Sequence, residues 1–88
     1  MKIIIISAIW CPGCLVMRKV WNNIKRDYPQ VELIELDYDM DNTKVMEYNP
    51  GSILPVAIFK SKDDLELERI VGECHEDTIK GVILKYES

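Results

Sequence analysis

Residues 3–14 read "IIIISAIWCPGC": an unbroken isoleucine run, a tryptophan at position 10, and cysteines at positions 11 and 14. Consecutive β-branched residues suit a strand buried on both faces, in the parallel part of a sheet. The chain then sets two thiols, spaced C-x-x-C, directly after its most apolar segment. Such a pair is a metal clip, a structural disulfide or a reacting couple, and the remaining sequence has to choose.

The 88-residue chain is sized for one domain spanning 1–88. Hydrophobic residues make up 48%, enough for a packed core without disulfide staples. The formal charge of −4 is spread along the chain and repels phosphate backbones, so no nucleic acid partner is expected. The opening "MKIIIISA" has one positive charge and an apolar run too brief for a signal peptide, and Trp10-Cys11-Pro12 is a poor cleavage context. No segment approaches the roughly 18 apolar residues of a membrane span. A cytoplasmic monomer without membrane contact is expected. Three cysteines are an odd number and too few for a disulfide scaffold. In a reducing compartment a close pair is more often catalytic or metal-bound than structural.

Working outward, Ile3 to Ile6 predicts the first strand. Met17, Val20, Trp21, Ile24 and Tyr28 follow helical spacing, with Arg18, Lys19, Lys25 and Arg26 mostly off that stripe and Pro29 as the stop. Those basic residues form a wet face, or a docking surface for a reductase. Val31 to Asp37 predicts a second strand, and "MDNTKVMEYNP" a short helix capped near Asp41 to Thr43. Pro55 to Phe59 predicts a third strand, "KSKDD" a turn, and Leu65 to Val71 an edge strand that Gly72 ends. Ile79, Val82, Ile83 and Tyr86 carry a last helical stripe, with Glu76 and Asp77 in its first turn. The order β-α-β-α-β-β-α implies one right-handed parallel crossover followed by an antiparallel hairpin in a single α/β sheet.

Cys11 and Cys14 fall at the carboxyl end of a central strand, where open α/β sheets place their chemistry. At a helix start this spacing sets both sulfurs on one side of the first turn. Free N–H groups and the positive end of the helix dipole favour a thiolate at Cys11, which should be exposed at the tip with a pKa below that of a free cysteine. Pro12 supplies a helix-ready φ. Gly13 leaves no side chain over the sulfurs, so a protein disulfide could approach, and Trp10 could cover one flank or be an ordinary core residue. A metal reading stays open: Cys11, Cys14, Cys74 and His75 make a nominal Cys3His set, and an iron–sulfur cluster shared between two chains would need fewer ligands. A non-enzymatic interaction domain is a third reading. Cys74 alone reads as a small buried hydrophobe or an auxiliary thiol, and His75 as a surface residue. The acidic run "DYDMDN" lacks the glycine and terminal glutamate of a calcium loop and reads as a solvated helix entry.

"WCPGC" after the isoleucine strand, "ILPVAIFK" further on, and "IVGE" ahead of the final amphipathic helix together resemble the thioredoxin superfamily. The resemblance spans essentially the whole chain, in a trimmed, glutaredoxin-sized form without an extra N-terminal strand and helix. It implies a four-stranded mixed sheet flanked by helices, a cis Pro55 lying against the cysteines, a Leu54 backbone that hydrogen-bonds an incoming peptide, and Gly72 lining the groove. It implies a thiol–disulfide oxidoreductase with Cys11 as nucleophile and Cys14 as resolving thiol, no cofactor, a disulfide-containing protein as substrate, and a thiol or flavoprotein reductase as electron donor. The sequence departs from the pattern in places. The slot that holds a buried acid in thioredoxins is Ile5, and the slot of their helix proline is Lys19, which implies an unkinked helix. Glutaredoxins carry Thr-Val before the cis-proline and Gly-Gly with an acidic pair after the hairpin. Here Ile53-Leu54 and Gly72-Glu73-Cys74-His75 stand there, and Glu73 sets a negative charge where glutathione's carboxylates need donors.

Overall fold

The computed structural model describes residues 1–87. Its elements are β1 (Lys2–Ser7), α1 (Pro12–Asp27), β2 (Glu32–Asp37), α2 (Asn42–Glu47), β3 (Val56–Lys60), β4 (Glu66–Val71) and α3 (Glu76–Glu87). They build one four-stranded sheet in the order β2-β1-β3-β4. β1 runs parallel to β2 and antiparallel to β3, and β3 pairs antiparallel with β4.

The isoleucine run is explained by helices on both faces. Ile3 and Ile5 point into a cluster with Met17, Trp21 and Ile24 of α1 and Ile79, Val82 and Ile83 of α3. Ile4 and Ile6 point the other way, onto Leu36, Val56, Ile58 and Val45 of α2. Each fully buried Ile or Phe contributes about 1.5–3 kcal/mol of transfer free energy, so the two central strands hold both layers. α1 and α3 thus cover one face and α2 the other.

α1 begins with Pro at its first position, carries Lys25 and Arg26 in its last turn where the dipole favours cations, and runs unbroken past Lys19. It ends one residue before the Tyr28-Pro29 pair, because a proline ring disfavours helix in the residue preceding it.

Two expectations change. Asp41 occupies the N-cap position of α2 but makes no side-chain cap. Its carboxylate accepts the Asp37 N–H at 2.9 Å instead, while Asp37 Oδ1 accepts the N–H groups of Asp39 and Met40, each at 2.9 Å. The acidic run is therefore a tight β2–α2 turn stitched by its own carboxylates. Tyr86, expected on the apolar stripe of α3, is exposed, because α3 buries only Ile79, Val82 and Ile83.

Candidate active site

β1 stops at Ser7, and the chain turns into α1 through a bond from the Cys11 N–H to the Ala8 carbonyl at 3.2 Å. Cys11 is the N-cap, with extended φ −94° and ψ 110°. Its sulfur accepts the Cys14 N–H at 3.2 Å, and its carbonyl accepts the N–H groups of Cys14 and Leu15. A sulfur here fills the role usually taken by a serine or aspartate oxygen, satisfying one of the helix's orphan donors. Charge on that sulfur would face the positive end of a 16-residue helix.

The expected exposure is reversed. Cys11 is only 5% exposed and Cys14 is half-buried. The cap hydrogen bond keeps Sγ at the helix end, so its burial comes from what surrounds that end and not from a displacement of the sulfur. Both are free thiols. The Cys14 thiol is pushed up to about 11 by burial first, then by its hydrogen bond to Cys11 and the charge of Cys11, against a lowering by the Ala8 backbone.

Three other segments meet this pair. Leu54–Pro55 is a cis peptide bond, and Pro55 lines the same cavity as Cys14. Leu54 packs its side chain against the Ile4 and Ile6 cluster. Gly72 has φ +87°, a conformation glycine adopts without penalty, and its N–H donates to the Pro55 carbonyl at 2.7 Å. That bond ties the end of β4 to the proline. Trp10 is no core residue: it is 61% exposed, edge-on to Tyr38, with its Nε1–H donating to Asp39 Oδ2 at 2.7 Å.

Two observations lie beyond sequence reasoning. The space above Gly13, expected to be open for substrate, is taken. A Cβ placed there would lie 3.2 Å from Glu73 Cγ and 3.4 Å from Glu73 Oε2. On the other side, a cavity of about 160 Å³ behind Cys14 is lined by Ile5, Arg18, Trp21, Glu35, Asp37 and Pro55, among others. Trp21 is 5% exposed, its Nε1–H has no partner among the described residues, and it lines this cavity together with Glu35. Glu35 could be found only through the strand register, which sets it opposite Ile5.

The Cys3His set is not assembled. Among the described residues no group of three or more His, Cys, Asp or Glu is placed to hold a metal ion. Cys74 is half-buried against the α1–α3 core, its thiol pushed up by burial, and His75 is exposed.

The Thioredoxin family model matches residues 1–85. The chain belongs to the thioredoxin family. It is accordingly a thiol–disulfide oxidoreductase, from a family that acts on disulfide substrates with reductases as partners. A thioredoxin of Chlamydia trachomatis is 29% identical over 80 residues, covering 91% of this chain and 76% of that one. A Nicotiana alata thioredoxin superposes with a TM-score of 0.85 at 28% identity, over 99% of this chain and 75% of the other. For the fold alone, thioredoxin-2 of a malaria parasite gives a TM-score of 0.89 at 20% identity, over 97% and 82%. Among the described residues no helix is long and apolar enough to cross a membrane. Against the thioredoxin pattern the site keeps the cysteine pair, the cis-proline and the glycine beside it. Its carboxylates stand off β1: Glu35 and Asp37 of β2 line the cavity with Cys14, and Glu73 of the β4–α3 loop lies over Gly13.

Proposed function

We propose that the chain reduces protein disulfides through Cys11 and Cys14. The observation that carries this reading is the sulfur cap: Cys11 Sγ accepts the Cys14 N–H at the start of α1, where it meets the helix's unpaired N–H groups and the positive end of its dipole. Cys11 attacks one substrate sulfur, the substrate S–S bond breaks, and the leaving sulfur takes a proton. Cys14 then loses its proton and attacks Cys11 Sγ. The mixed disulfide breaks, and the second substrate thiol leaves. Two electrons and two protons pass from the cysteine pair to the substrate, and the Cys11–Cys14 disulfide remains. A thiol or flavoprotein reductase returns it to the dithiol in a reducing, cytoplasmic setting.

The high pKa of Cys14 fits this order of events. Two of its causes, the hydrogen bond and the charge of Cys11, disappear once Cys11 is tied up in the mixed disulfide. Cys14 therefore becomes easier to ionise at the step where it must attack. Burial remains, so the proton still needs a way out. The cavity behind Cys14 has room for several waters and polar groups to hold them. Glu35, which lines this cavity together with Cys14 and Trp21, is the acceptor assigned to that proton. This acid replaces the one the Ile5 slot lacks.

Around the pair Ile9, Trp10, Leu15 and Ile53 are exposed. An apolar rim beside a reactive thiol suits a protein segment better than a small polar disulfide. Trp10, Pro12, Leu54, Pro55 and Gly72 are the residues that would meet it, with Glu73 covering Gly13 and the Leu54 backbone pairing with the incoming chain.

The test is a protein disulfide assay with a dithiol as regenerant. Cys11→Ser lowers the rate to the dithiol background, and Cys14→Ser accumulates a covalent substrate adduct on non-reducing gels. Retained turnover in Cys11→Ser, or no adduct with Cys14→Ser beside an active wild type, overturns the assignment.

A further inference from the structure

Glu73 is held in place from both sides. Before it, Gly72 is tied to the Pro55 carbonyl at 2.7 Å; after it, Cys74 packs against the α1–α3 core. Between those anchors the Glu73 side chain lies over Gly13 at the start of α1, its carboxylate oxygen 3.4 Å from where a Cβ would stand. The first turn of α1 has no acidic residue of its own. A carboxylate from another loop therefore occupies the positive end of the helix, where an anion is stabilised. It does so over Gly13, which stands between the two cysteines in sequence. A smaller residue than Gly13 does not exist, so the glycine is what lets the carboxylate come this near.

From this contact we infer that Glu73 selects substrates by charge: it favours a disulfide flanked by cationic groups and disfavours an anionic one. The inference rests on Cys11 being the attacking sulfur, as proposed above. In the first step the Cys11 thiolate bonds to a substrate sulfur and the substrate S–S bond breaks, leaving a thiolate. A substrate ammonium or guanidinium beside that bond pairs with the Glu73 carboxylate while it also faces the developing negative charge. A substrate carboxylate there meets Glu73 head-on. Oxidised glutathione, with free carboxylates on each half, belongs to the disfavoured class; a protein disulfide with neighbouring lysine or arginine belongs to the favoured one. Glu73 is exposed, so water and salt weaken the effect without abolishing it. Coulomb's law at contact to second-neighbour distances, with dielectric constants between those of a protein surface and water, gives a discrimination of roughly 3- to 30-fold per substrate charge.

The experiment compares two small disulfides of similar size and opposite charge, cystamine and dithiodiglycolate. The readout is the rate at which each oxidises the purified dithiol protein, followed by mass spectrometry after alkylation. The wild type reacts faster with cystamine, and the cystamine-to-dithiodiglycolate ratio falls by about 10-fold in Glu73→Gln. Gly13→Ala, which displaces the carboxylate without removing its charge, lowers the ratio by less. Glu32→Gln removes the same charge from the start of β2, opposite Lys2 at the far end of the sheet, and leaves the ratio unchanged. A ratio that Glu73→Gln does not lower, or that Glu32→Gln lowers equally, overturns the role of Glu73 and leaves the dithiol chemistry standing. If neither disulfide oxidises the wild-type cysteines, the dithiol reading itself fails and this inference fails with it.

Discussion

The two ends of the sheet are built from the same strands and solve opposite problems. At the start of β1, polar groups are matched. Asp64 Oδ1 takes Lys60 Nζ at 2.9 Å and Lys2 Nζ at 3.2 Å. The Lys60 ammonium also lies 5.2 Å from the Tyr48 ring centroid, and Ser61 closes the turn through Asp64 and Leu65. At the far end of β1 the chain leaves two free thiols, an indole N–H at Trp21 with no partner among the described residues, and apolar side chains in water. One end spends its interactions on closing the fold. The other keeps donors, sulfurs and apolar surface uncommitted, which is the condition for binding and reacting with something else. What joins them is the central pair of strands, and each end can be perturbed to show how far it depends on the other.

The largest effect comes from removing what they share. Phe59 is fully buried in the α1–α3 cluster and pairs with Ile3 across β1 and β3. Phe59→Ala should cost about 3–5 kcal/mol, a large part of the roughly 5–15 kcal/mol that holds a small domain together. The urea midpoint and disulfide reductase activity should collapse together. A midpoint barely moved would mean that the two ends do not hang on one core.

A smaller effect should appear at the cysteine end alone. Glu35→Gln should slow release from a mixed disulfide on Cys11 by about 10-fold at neutral pH, a modest proton-transfer contribution. Because Glu35 is exposed, the urea midpoint should hardly move. The rate difference should close as pH rises into the range where Cys14 ionises without help, which in the mixed disulfide lies below the dithiol value of about 11 because the hydrogen bond and charge of Cys11 are gone. Equal release rates for variant and wild type at neutral pH would remove Glu35 from the proton path.

The contrast between ends also separates what could be read from the sequence from what could not. Strands and helices follow from side-chain periodicity, so the isoleucine run, the stripe of α1 and the crossover were legible, and the C-x-x-C spacing marked the strand–helix junction where Cys11 and Cys14 lie close together. The details of that site depend on which loops come near one another, and periodicity is silent there. Glu73 stands far from Gly13 along the chain yet rests on it. Asp39 holds Trp10 across the β2–α2 turn. Glu35 reaches the cavity behind Cys14 only because the parallel register sets it opposite Ile5. Cys11 keeps its place at the helix end, where the cap hydrogen bond holds it, but it is only 5% exposed, and local spacing does not say what covers it.

The smallest effect belongs to the polar end, and its pH dependence gives it away. Asp64 is held below the usual carboxylate range by hydrogen bonds from Lys60 first and Lys2 second. A carboxyl whose pKa is lower in the folded than in the unfolded chain stabilises the fold above its unfolded value. That stabilisation is lost as pH falls through the folded one. Asp64→Asn should therefore lower the thermal midpoint slightly at neutral pH, less so in high salt because the carboxylate is exposed. Below the carboxylate range the two proteins should melt together, since protonated Asp64 no longer pairs with either lysine. Reductase activity should be the same in both at neutral pH, as Asp64 lies at the opposite end of β1 from the cysteines. A midpoint difference that persisted in acid would mean that the turn, where Asp64 has φ +67°, rather than its charge, sets the stability of this end.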